Sequence, residues 1–381
     1  MKRWMGILVA VFLVVGMIPT GARAADLKIE AKSAVLMDAA TGTVLYEHNS
    51  HEALAPASVT KVMTMLLIME AIDSGKISWQ DTVIASENAA AKGGSQVYLK
   101  VGESMSVEEM VKSIAVSSAN DCACAMAEHI SGSEASFVDA MNRRAQELGM
   151  QDTHFVNCTG LDDDPNAKDH KTSAYDIALM SAQLVKHHPD IQKFTTIWMD
   201  TIRNGSFGLS NTNKMVRFYP DCTGLKTGFT AQAGYCLSAT AKRDGMELIA
   251  VVMGCETSPK RFAACKSMLD HGFANYALIT PELPETLEIP VTLGTASKVT
   301  AVPAEHMPIL IDKGQKNLIT TQIEADPSVK APVSQGQRLG TLTVKAGEQI
   351  LRQIPLVAQK VVPKLTFSQV FRRILKTALG G

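Results

Sequence analysis

The sequence predicts an α/β domain, then a small all-β domain, then a short C-terminal amphipathic helix. Three observations carry that reading. Helix-period and strand-period segments share the chain up to about residue 280. A Pro-rich joint, "TPELPET" at 280–286, then gives way to short alternating segments spaced by Gly and Pro. The last eighteen residues combine apolar side chains at helical spacing with basic charge and no acidic residue. At 381 residues the chain is long for one core and comfortable for two. Its 37 basic against 38 acidic residues give no electrostatic footprint for nucleic acid. With 46% hydrophobic and 20% charged residues, the composition excludes a disordered chain.

Taken in order, residues 1–24 read as a secretory signal peptide. "MKRW" supplies positive charge, "GILVAVFLVVGMI" an apolar run and "GARA" a small-x-small end, with cleavage expected after Ala24. The run is short for a permanent span; a retained N-terminal anchor is the alternative. "SAVLMDAATGTVLYEHN" alternates around Ala-Thr-Gly as a hairpin. "APASVTKVMTMLLIMEAID", residues 55–73, is an almost wholly apolar helix with Ser58 and Lys61 at its mouth. Residues 106–150 are largely helical, broken near "SGS" at 131–133, and 157–176 form a turn-rich polar loop leading into another helix. Leu225 to Gly254 gives two or three strands, with Asp-Gly of "RDG" as the hairpin turn. A helix over 260–278 closes a first domain spanning 25–280.

Beyond the joint, "LEIPV", "NLITTQI" and "RLGTLTV" place the all-β domain at 284–358. In the tail, 362–381, Phe367, Val370, Phe371, Ile374, Leu375 and Ala378 share a helix face. Lys364, Arg372, Arg373 and Lys376 supply positive charge. That describes a helix lying in the plane of a membrane, drawn to anionic lipid through residues 364–379; docking on the protein's own domain is the alternative. The seven cysteines are an odd number with no zinc spacing, which points to small buried hydrophobes rather than bridges or a metal site.

A serine hydroxyl becomes a nucleophile only when a base takes its proton. Positions i and i+3 share a helix face, so Lys61 reaches Ser58. Lysine acts as a base only when neutral, which requires burial or a nearby cation. A helix N-terminus also favours a developing oxyanion. Alone the motif is weak: Ser58 could simply cap the helix while Lys61 snorkels. Two further tripeptides accompany it, "SAN" at Ser118 to Asn120 and "KTG" at Lys226 to Gly228, which begins an expected strand. A rival S-x-N, "SEN" at Ser86, lies only 28 residues past Ser58.

With S-x-x-K, S-x-N and K-T-G in this order, the chain resembles the penicillin-recognising serine acyltransferases. "HFVNCTGLDD...DHKTSAYDIALM" and "GLKTGFTAQAGYCLSATAKRDGMELIAVVMG" resemble the low-molecular-mass D-alanyl-D-alanine carboxypeptidases in particular. The resemblance implies a β-lactamase/penicillin-binding-protein-like catalytic domain: an antiparallel sheet flanked by helices plus a helical subregion. It implies that Ser58 attacks the bond between the last two D-alanines of a peptidoglycan stem peptide while Lys61 takes its proton. Ser118 and Lys226 would relay a proton to the leaving nitrogen, and the Lys226 cation would depress the Lys61 pKa. Asn120 would hold the peptide and Lys61. Backbone N–H groups of Ser58 and Phe229 would receive the oxyanion, beside Gly228. Thr227, Lys226 and Arg261 would bind the terminal carboxylate; a surface salt bridge is the alternative for Arg261.

The same resemblance makes β-lactams covalent inhibitors and implies no cofactor. Some relatives carry His where this chain has Phe229. His170 is expected to shape its loop rather than take part in the chemistry. No histidine stands in a G-x-S-x-G or metal-ligand context. Two other functions are the alternatives. A β-lactamase would want a loop glutamate, but 157–176 holds aspartates at 162, 163, 164, 169 and 176. A catalytically silent wall-binding homologue would not need every reactive position. Signal peptide and tail together place the protein outside the cytoplasm, on the outer face of the cytoplasmic membrane.

Overall fold

A computed structural model describes residues 27–163, 167–281, 287–305 and 308–378. The expected signal peptide and most of the Pro-rich joint lie outside the described residues. Ser33–Asp38 (β1) and Val44–His48 (β2) form the expected hairpin. Asp38 closes its turn, accepting from the backbone N–H and hydroxyl of Thr41 at 2.8 and 2.6 Å. Strands Cys222–Thr230 (β3), Gly234–Arg243 (β4) and Met246–Cys255 (β5) complete an antiparallel sheet in the order β2-β1-β5-β4-β3. Asp244 and Gly245 take positive φ between β4 and β5, as an Asp-Gly hairpin turn requires. β3 is left at one edge.

The period of two along β1 and β5 decides what covers the sheet. Val35, Met37, Ile249, Val251 and Met253 face one core, while Ala34, Leu36, Leu248, Ala250 and Val252 face another. The first core is shared by helices Lys61–Asp73 (α1), Val107–Ser117 (α2), Asn120–Ser131 (α3), Glu134–Glu147 (α4) and Ala174–His187 (α5). The second is closed by Ser258–Asn275 (α6). Because α1 is apolar all round, Val62, Met63, Met65, Leu66 and Ile68 are all fully buried. Ser106, Ser133, Ser173 and Thr257 cap α2, α4, α5 and α6 through their hydroxyls.

Two expectations need correction here. The helical stretch 106–150 breaks not only at 132–133 but also at Ser118, whose φ of +62° ends α2 before α3 restarts at Asn120. The closing helix ends at Asn275 rather than running to 278. Tyr276–Ile279 is a strand (β6) because it pairs with Ile309–Asp312, far along the chain. That tertiary pairing overrides local helical preference.

The second region is all-β as expected. Leu287–Thr292 (β7), Lys298–Pro303 (β8), Ile309–Asp312 (β9), Ile319–Ala325 (β10), Val329–Lys330 (β11), Arg338–Ala346 (β12) and Gln349–Ala358 (β13) follow in order. Six of them form a sheet ordered β10-β12-β13-β8-β7-β11 over a core containing Ile289, Val299, Leu342, Val344 and Leu356. The tail forms a helix, Phe367–Ala378 (α7), which begins at Phe367 rather than at the expected 362; residues 379–381 lie outside the described residues. No helix among the described residues is long and apolar enough to cross a membrane.

Candidate active site

The chain enters α1 through a single 3₁₀ turn, Ala57–Thr60. In a 3₁₀ turn residues i and i+3 eclipse, so Ser58 and Lys61 stand directly over one another, with Oγ and Nζ 3.0 Å apart. The turn is held in strain at its start: Ala57 has a φ of +47°. Lys61 is 0% exposed, and its amine also donates to the Thr159 carbonyl at 2.8 Å. Burial pushes its pKa down to about 7, against the opposing pull of Cys158 and Asp121. Of the two causes expected, burial and a Lys226 cation, burial is the one that lowers it. Lys226 is itself fully enclosed and is driven well below the usual lysine range, first by burial and then by the charges of Lys61 and Arg261.

The carbonyl under Lys61 belongs to a loop folded by one side chain. Asn157 Oδ1 accepts from the N–H and hydroxyl of Thr159, both at 3.1 Å, and from Gly160 N–H at 2.7 Å; its Nδ2 donates to Leu161 O. Gly160 is packed so tightly that a Cβ there would stand 1.8 Å from the Ala57 carbonyl oxygen, and its φ is +81°. On the other side, K-T-G lies in the middle of β3 rather than at its start. A Cβ on Gly228 would reach 2.7 Å from Pro56 O and 3.1 Å from Ser58 N. Only a glycine lets this edge strand press against the Ala57–Thr60 turn. Thr227 is anchored by donating to Thr212 Oγ1 at 2.7 Å, and Lys226 Nζ donates to Thr227 O at 2.9 Å.

Ser118 and Asn120 flank the left-handed joint between α2 and α3. Asn120 Nδ2 donates to Gly93 O at 2.7 Å, whereas its Oδ1 and the Ser118 hydroxyl are buried with no hydrogen-bond partner among the described residues. The rival Ser86 is a helix cap, accepting from Ala89 N–H at 3.0 Å. Phe229 stands 54% exposed beyond Gly228, stacked on Tyr235 at 4.3 Å. Arg261, 8% exposed, donates to the Gly228 and Cys236 carbonyls at 2.9 and 3.3 Å and lies over the Tyr235 ring, leaving its Nε without a partner among the described residues. No cluster of metal-ligating residues occurs among the described residues.

Residues 20–257 match the family described as "D-alanyl-D-alanine carboxypeptidase", and 285–364 match "Penicillin-binding protein 5, C-terminal domain". The chain belongs to the D-alanyl-D-alanine carboxypeptidase family. D-alanyl-D-alanine carboxypeptidase DacF of Bacillus subtilis is 44% identical over 93% of this chain and 92% of its own length. The crystal structure of penicillin-binding protein 5 from Haemophilus influenzae overlays with a TM-score of 0.77 at 31% identity, covering 88% of this chain and 98% of that one. Penicillin-binding protein D2 from Listeria monocytogenes, in its ampicillin-bound form, covers 65% of this chain and all of its own, with a TM-score of 0.60 and 31% identity.

As a member of this family the protein is a serine D-alanyl-D-alanine carboxypeptidase, a cell-wall hydrolase working outside the cytoplasm. In this carboxypeptidase the tertiary structure adds residues that the motifs did not indicate. Thr159 supplies the carbonyl beneath Lys61, Asn157 folds that loop, Thr212 anchors Thr227, and Thr60 with His170 brace the Ala57–Thr60 turn. Two of these had a sequence signal: His170, expected to shape its loop, and Asn157, an Asn three residues before a Gly in a turn-rich stretch.

Proposed function

We propose that Ser58 is the nucleophile and Lys61 its general base. Neutral Lys61 takes the Ser58 proton as Oγ attacks the carbonyl between the last two D-alanines of a stem peptide. The oxyanion rests on the N–H groups of Ser58 and Phe229. A proton passing through Ser118 and Lys226 leaves with the terminal D-alanine nitrogen, and an ester remains on Ser58. Water cleaves that ester and restores the hydroxyl. Asn120 steadies the peptide amide, while Thr227, Lys226 and Arg261 receive the terminal carboxylate. The unpartnered Ser118 hydroxyl and Asn120 Oδ1 support these roles, because buried polar atoms without partners are rare unless a ligand completes them.

One observation carries the reading: a buried amine, with a pKa near 7, stands 3.0 Å from a serine hydroxyl. A penicillin would acylate the same hydroxyl, as ampicillin occupies the Listeria relative. The second partner of Lys61 is a main-chain carbonyl rather than a glutamate, which favours slow release of such an adduct over β-lactamase turnover. The finer location belongs to the same proposal. Residues 1–24 direct export, 25–280 carry the chemistry, 284–358 act as a spacer, and 362–381 lie on anionic lipid. Phe367, Phe371 and Ile374 follow helical spacing along α7 and all are exposed, which supports that last role. The test is free D-alanine from a D-alanyl-D-alanine-ended peptide. Wild type should release it, Ser58→Ala should not, and mass spectrometry should find the penicillin adduct on Ser58. An adduct on any other residue would overturn the assignment.

A further inference from the structure

We propose that His170 is a positioning residue for the oxyanion site, acting through Thr60 on the peptide plane that carries the Ser58 N–H. His170 sits in the loop ahead of α5 and is 4% exposed. Its Nδ1 accepts the backbone N–H of Val156 at 3.0 Å, so Nδ1 carries no proton. Its Nε2 is 2.8 Å from Thr60 Oγ1, and Thr60 spends its single hydroxyl proton on the Ala57 carbonyl at 2.8 Å. Thr60 must therefore accept from His170 Nε2. Both ends of the chain require the same neutral Nε2–H tautomer. A proton runs in one direction along every link: His170 to Thr60, Thr60 to Ala57 O.

The Ala57 carbonyl and the Ser58 N–H belong to one planar trans peptide and point in opposite directions. Holding the oxygen therefore aims the hydrogen. That peptide follows a residue strained at φ +47°, which returns to an ordinary conformation unless its surroundings prevent it. Gly160 closes the space beside the same carbonyl, and Gly228 presses on the opposite side near Ser58 N. Within this clamp, the His170–Thr60 arm is the element that bonds the peptide oxygen. An oxyanion donor works only when it is aimed before the charge develops. This deepens the proposed mechanism and rests on Ser58 being the nucleophile.

The experiment separates the two nitrogens. In His170→Asn the amide oxygen can replace Nδ1 and keep Val156 but cannot reach Thr60. In His170→Gln the amide nitrogen can replace Nε2 and keep Thr60 but loses Val156. A purely structural histidine predicts comparable damage from the two, because each keeps one of the bonds to Val156 and Thr60 and loses the other. The proposal predicts that His170→Gln acylates with a fluorescent penicillin within roughly threefold of wild type. His170→Asn and Thr60→Val should each fall by roughly tenfold or more, with kcat for D-alanine release reduced and KM little changed. The double variant should be no worse than Thr60→Val alone. Equal rates for the Asn and Gln variants at matched Tm, or multiplying losses in the double variant, overturn it. If His170→Gln does not fold, Thr60→Ser, which keeps the hydroxyl, against Thr60→Val decides the same question. The adduct position in wild type reports separately on whether Ser58 is the nucleophile.

Discussion

Lys61 puts an amine at the buried start of a mostly buried helix, and it gains reactivity at the expense of stability. The unfolded lysine holds its proton up to 10.5, and the native one sheds it near 7. Between those values the unfolded chain binds the extra proton, so stability rises with pH across that window and is lowest below about 7. The displacement corresponds to on the order of 4 kcal/mol at neutral pH. Lys61→Met should abolish acylation yet raise the unfolding free energy measured in urea, by roughly 1–3 kcal/mol after the lost bond to Thr159 O is counted. That gain should be largest below pH 7 and shrink above it. In wild type, the second-order rate of penicillin acylation should fall about tenfold per pH unit below about 7, because only the neutral amine accepts the Ser58 proton. A flat profile from pH 5 to 8 would show that another base operates.

At the scale of elements, the site is made where three of them touch: the 3₁₀ turn before α1, the Asn157–Leu161 loop and the edge strand β3. Their contact is set by missing side chains more than by present ones. Gly160→Ala would add a methyl at 1.8 Å from Ala57 O in a residue with φ +81°, so stability should drop by at least about 2 kcal/mol and acylation should slow with it. Gly149→Ala is the control, with φ +74° but nothing within 4 Å; it should lower the urea midpoint less and leave acylation unchanged. Most of these elements were legible from period and turn chemistry. The break at Ser118 was not, because "VSSAND" reads as continuous helix until one sees that its left-handed residue turns a buried hydroxyl inward. Nor was β6, whose strand partner lies thirty or more residues away.

For the whole molecule, the catalytic sheet and the second β sheet pack on separate cores, and α7 leaves Phe367, Phe371, Ile374 and Leu375 exposed. Basic residues near an anionic surface contribute roughly 1 kcal/mol each and are screened by salt. Deleting residues 364–381 should leave D-alanine release intact while abolishing sedimentation with phosphatidylglycerol vesicles. The full chain should bind those vesicles more weakly at 0.5 M salt and should ignore phosphatidylcholine. Undiminished vesicle binding by the truncated protein would remove the tail from membrane attachment.

Read by itself, the amino-acid order determined the reaction class and the secondary structure around it. Three short motifs name reactive groups wherever they sit, and periods of two and 3.6 show which faces are buried. What only the tertiary structure decided is how those groups are tuned. The Lys61 amine is lowered by enclosure, which residues distant in sequence complete around the apolar helix. Its second partner is a carbonyl 98 positions away, and the Ala57–Ser58 peptide is aimed from His170 through Thr60, 110 positions apart. Burial and hydrogen-bond direction depend on what packs against a group in space, and no local spacing encodes that.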